Sequence, residues 1–157
     1  MTSWCRLAGA VFLIASTSAC SAPRGVHLAA TTKPFTMKVT GGGPLYSLGV
    51  SGPFADDAAM RAYLAATKMA PIWSIAPIDP KATASSLPPI EYGVASKAFR
   101  EDKGPAPALE IGKLYLVHAV LTTDGSPLSW GQNTTGSYSL CVAVQPTQLA
   151  EVPCPGR

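Results

Sequence analysis

The chain is predicted to be mainly β, built from short strands and turns with one short helix. Three observations carry this. Pro (15) and Gly (14) are abundant among the 157 residues, and Thr and Ser are frequent, a composition that favours turn-rich β architecture over a helical bundle. Several short runs alternate apolar and polar residues with a period of two. Only one segment, residues 56–69, carries helical spacing. The length suits one domain with a real hydrophobic core once an export segment is removed.

Residues 1–19 have the layout of a secretory signal. Arg6 supplies the positive end, and the uncharged run Leu7 to Ala15 is too short to span a bilayer as a permanent helix. Small residues Ser16-Thr17-Ser18-Ala19 follow, and then Cys20. On Ser18-Ala19-Cys20 the chain resembles bacterial lipoproteins, whose lipobox places small residues before an obligatory Cys. Thr17 departs from that pattern, where the family usually has Leu. The resemblance implies diacylglyceryl alkylation of Cys20, cleavage before it and anchoring by its acyl chains. Two or three chains hold a protein firmly where one holds it weakly. Asp after the Cys marks inner-membrane retention in that family, so Ser21 implies the outer membrane of a two-membrane bacterium. The alternative is ordinary secretion, with cleavage after Ala19 or Ala22 and no lipid.

Residues 20–33 are expected to be the lipidated Cys and a flexible tether. Ser21 to Gly25 has linker chemistry, and Thr31-Thr32-Lys33-Pro34 leads into a domain spanning 34–157. Phe35, Met37 and Val39 alternate with Thr36, Lys38 and Thr40, giving a half-buried strand. After Gly41-Gly42-Gly43-Pro44, a second strand alternates Tyr46, Leu48 and Val50 with Ser47, Gly49 and Ser51. A hairpin between the two is expected. The Gly run lacks the Gly-Lys-Ser/Thr ending of a phosphate loop. Over 56–69, Asp56 or Asp57 can cap a helix whose Met60, Tyr63, Leu64 and Thr67 share a core-facing stripe, and Pro71 closes it.

Trp73 and its neighbours form the next strand, followed by a Pro/Ser/Ala loop over 76–89 and a short strand at Ile90 to Val94. Residues 100–108 read as a charged Gly/Pro loop. Leu114 to Leu121 is apolar on both faces and therefore central. Ser137 to Val144 is its expected partner, with Tyr138, Leu140, Val142 and Val144 on one face and Ser137, Ser139, Cys141 and Ala143 on the other.

Leu109 followed by Gly112 and Tyr115, opening an alternating apolar strand, resembles the region before and within strand F of fibronectin type III domains. That resemblance implies an immunoglobulin-like sandwich with a tyrosine corner, in which the Tyr115 phenol bonds to backbone just upstream and Leu109 packs beneath it. Trp73 would be the buried aromatic of an earlier strand. The helix and the Pro-rich loops depart from the family. Trp73, Ile90-Glu91-Tyr92-Gly93 and Gly112-Lys113-Leu114-Tyr115 are also similar to small, uncharacterised lipoproteins of Gram-negative bacteria. That likeness implies envelope residence and no known activity.

Of the four Cys, Cys5 leaves with the signal and Cys20 is taken by the lipobox, so Cys141 and Cys154 remain. In an oxidising compartment an even pair reads as a structural disulfide. The spacing is not that of a C-x-x-C redox or metal pair.

The formal charge of +3 falls to +2 once Arg6 is removed, and no basic run is present, so nucleic acid is not expected as a partner. No metal or cofactor motif occurs. His27 lies in the expected tether and His118 on the central strand, where a hydrogen-bonded structural role is the default. Trp130, Gln132 and Asn133 form a possible recognition loop for a protein or glycan partner of the envelope. The leading reading is a non-enzymatic binding or accessory module. The rivals are an envelope hydrolase using His118 with a nearby carboxylate, and an inhibitor or immunity lipoprotein.

Overall fold

A computed structural model describes residues 25–66, 70–123 and 134–156, with the side chains of 134 and 135 excepted. The chain is a β-sandwich with one short helix. Strands β1 (Gly25–Ala30), β2 (Thr36–Thr40) and β5 (Ile90–Glu91) form a three-stranded sheet in the order β1-β2-β5. Strands β3 (Leu45–Phe54), β4 (Trp73–Pro77), β6 (Phe99–Lys103), β7 (Leu114–Thr122), β8 (Thr134–Val144) and β9 (Leu149–Val152) form the larger sheet, ordered β6-β4-β3-β7-β8-β9. All pairings are antiparallel. The first, second and fifth strands face a sheet centred on the third, seventh and eighth.

The core lies between the sheets. The two-residue period of β2 puts Met37 and Val39 inside, and that of β7 puts Tyr115, Val117, Ala119 and Leu121 inside. Strand β8 turns Tyr138, Leu140, Val142 and Val144 the same way. Trp73 on β4 is fully buried among them. A bulge at Tyr46 lets Leu45 and Leu48 both reach the core and leaves Tyr46 exposed.

Three expectations are corrected. Residues 25–30, expected within a tether over 20–33, form β1. There Val26 pairs with Val39 and is buried, so its apolar side completes the small sheet. β2 and β3 do not form a hairpin. Gly41 to Pro44 carries the chain from one sheet to the other, and each strand finds different neighbours, β1 and β5 for β2, β4 and β7 for β3. The charged segment at 100–108 is not wholly loop, because Phe99–Lys103 is an edge strand on β4. An edge strand tolerates charges, which discourage pairing with a further strand and hide its periodicity.

Helix α1 (Asp57–Ala65) is shorter than expected. The Asp56 carboxylate caps it, accepting the Ala59 N–H at 2.8 Å. Met60 is buried, and Tyr63 and Leu64 pack with it over Phe54, Leu116 and Cys141 on the outer side of the large sheet. Thr67 lies outside the described residues.

The two poles of the sandwich gather different segments. Gly25 pairs with Thr40 at one pole, together with Gly41 to Pro44 and the loop 78–83, where Leu45 N–H donates to the Ala82 carbonyl. The opposite pole holds residues 31–35, the start of α1 and the turn before Tyr115. There Leu149 N–H donates to Thr31 carbonyl, Thr32 bridges to Gln148, and Leu28 N–H donates to the Glu151 carboxylate at 3.1 Å. These bonds join β1 to β9 across the sheets.

Candidate functional site

Two places collect chemistry. The first is a groove of about 380 Å³ at the pole opposite the start of β1, lined by Lys33 to Phe35, Tyr92, Gly93 and residues 106–109. Its aromatic lining is Phe35 and Tyr92, and Tyr92 in turn packs on the buried Trp73. The Tyr115 hydroxyl, at the entrance of the central strand, accepts the Glu110 N–H at 2.9 Å, and Leu109 packs half-buried against the core. Gly52 on β3, at φ +132°, makes room for this ring. A Cβ there would sit 2.7 Å from Tyr115 Cδ1.

Trp73 meets Tyr92 edge-on at 5.2 Å and donates its indole N–H to Glu101 at 2.8 Å. Tyr92 donates its hydroxyl to the Pro107 carbonyl at 2.8 Å, closing one wall of the groove. Burial, and secondly the neighbouring Tyr115, push the Tyr92 phenol up to about 12. Burial raises Tyr115 as well, against the opposing effect of the Glu110 N–H. Both phenols therefore stay neutral hydrogen-bonding groups. Lys33 supplies the cation of the groove, 6.0 Å from the Phe35 ring centroid.

The second place is the outer face of the large sheet beyond the helix. His118 stands on β7 beside Gly49 of β3 and Ser139 of β8. Its Nδ1 lies 3.1 Å from Ser139 Oγ and its Nε2 3.0 Å from Ser137 Oγ. A neutral imidazole donates to one hydroxyl and accepts from the other. In these contacts His118 meets two hydroxyls. The sequence places Ser137 and Ser139 on one face of β8 and His118 on the central strand, and the register that joins them comes from the pairing of β7 with β8.

Cys141 and Cys154 form a disulfide with Cα atoms 5.2 Å apart. Cys141 shares the outer face of β8 with Ser137 and Ser139, at its end under α1, and the tail runs along the sheet edge as β9. Cys20, Trp130, Gln132 and Asn133 lie outside the described residues. Among the described residues no group of three or more His, Cys, Asp or Glu could hold a metal ion. No described helix is long and apolar enough to cross a membrane. Comparison with protein-family models, curated proteins and solved structures finds no match.

Proposed function

We propose that this protein is an envelope lipoprotein, anchored through Cys20, whose sandwich serves as a non-enzymatic binding or accessory module. The observation that carries the reading is the uncharged run Leu7 to Ala15 followed by Ser18-Ala19-Cys20. The Cys141–Cys154 disulfide supports residence in an oxidising compartment. The groove around Tyr92, with proline and aromatic walls and one lysine, supplies a surface suited to an apolar segment of an envelope partner. Cys20→Ala should abolish acyl labelling and membrane association. A variant that still fractionates with membranes in high salt would refute the anchor. Capture of one stoichiometric protein from solubilised membranes would identify the partner and bring the inhibitor reading forward.

A second reading, an envelope hydrolase, draws on the Ser137–His118 contact, since a hydroxyl beside an imidazole is the first half of a nucleophile–base pair. It predicts that Ser137 takes a fluorophosphonate label and that His118→Ala prevents this. Absence of labelling in the parent protein removes that reading.

A further inference from the structure

The start of β1 limits how the sandwich can meet a bilayer. Only residues 21–24 separate Cys20 from Gly25. Even fully extended, five residue steps reach about 18 Å. The nine-residue β7 alone is about 30 Å long, so the pole where β1 begins is held nearer the anchor than the other.

Charge separates the poles in the same sense. Near the start of β1, the exposed charges of the loops flanking β4 and β6 are Lys81 and Lys97 against Asp79. Arg24 immediately precedes the strand. The far pole carries Asp56, Asp57, Glu91, Glu110 and Glu151 against Lys33, Lys113 and Arg61 of α1. An anionic headgroup layer attracts the first set and repels the second. Ile78, 58% exposed in the same loop as Lys81, adds an apolar contact at the basic pole.

We propose that the pole where β1 begins, with Ile78, Lys81 and Lys97, lies against an anionic phospholipid bilayer, and that the acidic pole with the Tyr92 groove is turned away from it. The inference rests on the Cys20 anchor proposed above. It gives the groove free access to a partner that is not in the same membrane.

The acylated protein tests it. Single Lys81→Cys and Ile111→Cys variants carry the same thiol-linked fluorophore, because Cys141 and Cys154 are bonded and Cys20 is acylated. Each is reconstituted on phosphatidylcholine–phosphatidylglycerol vesicles containing a headgroup spin-labelled lipid. Quenching is expected to be several-fold stronger at position 81 than at 111, and detergent should abolish the difference. Equal or reversed quenching on vesicle-bound protein overturns the orientation while leaving the anchor intact. Protein that carries no acyl group and does not float with the vesicles overturns the anchor, and the orientation with it.

Discussion

Helix α1 covers one half of the large sheet's outer face, and the same three strands change character where that cover ends. Beneath the helix, the row across β3, β7 and β8 reads Ser51, Leu116 and Cys141, all buried, with the Tyr63 hydroxyl donating to Ser51 Oγ at 2.8 Å. The next row reads Gly49, His118 and Ser139, and the one after it Ser47, Val120 and Ser137. Two residues along each strand take the chain from an apolar layer to hydroxyls and an imidazole. Burial under a helix asks for carbon and sulfur, or for a hydroxyl with a partner. An open sheet face has no such requirement. Among the described residues, the polar set therefore marks the part of this face that the helix does not cover.

Substitutions on the two sides of this boundary should differ sharply. The inner face provides the upper reference. Tyr115→Ala removes a core aromatic and should lower unfolding stability in urea by about 3–5 kcal/mol. Tyr115→Phe loses only the bond from Glu110 and should lower it by about 1 kcal/mol. A Tyr115→Ala protein as stable as the parent would undo the tyrosine-corner assignment. On the covered half, Leu116→Ala should cost about 2–5 kcal/mol in the same assay, because neither Met60 nor Phe54 can fill the space without moving the helix.

Alkali separates the inner face from the outer one. The Tyr92 phenol has an ordinary value of 10.0 and is raised to about 12 in the folded protein. The unfolded chain releases its proton first, so the folded state binds more protons between those values and stability falls as pH rises from about 10 to 12. Tyr92→Phe should flatten that fall in a series of denaturation curves, and His118→Ala should leave it unchanged. The smallest effect belongs to the open half. There His118→Ala should change stability by about 1 kcal/mol or less, the worth of hydrogen bonds between a half-buried imidazole and hydroxyls. A loss as large as that of Leu116→Ala would mean that the Ser137–His118–Ser139 row is structural.

The alternation of β2, β7 and β8 was legible because one or both faces pack on a core, which writes the period of two into the chain. Sheet membership was not. Phe35 to Val39 and Tyr46 to Val50 look like two arms of a hairpin, and nothing local distinguishes pairing from a crossing between sheets. β1 escaped notice because Gly25-Val26-His27-Leu28-Ala29-Ala30 is composed largely of small residues beside linker chemistry. β6 escaped because Arg100 to Lys103 are all exposed and carry no period. The candidate site was legible only in part. The shared face of Ser137 and Ser139 follows from alternation, but β7 is apolar on both faces, so the side His118 takes and its meeting with them depend on His118 standing opposite Ser139. A slip of one residue would reverse which face every side chain meets, and the residues between β7 and β8 are too many to set that register from turn chemistry.

The bonds between β1 and β9 make the two ends of the folded chain each other's cover. Leu28 N–H on Glu151, and Leu149 N–H on Thr31, occupy groups that an unprotected edge would offer to another molecule. A chain trimmed to begin at Pro34 would still contain most of its core, but β2 would lose β1 from one side and β9 would lose the bonds to Leu28 and Thr31. Such a shortened protein should grow edge to edge into aggregates at concentrations where the intact one stays dispersed. The boundary of the domain is thus a matter of solubility as much as of folding.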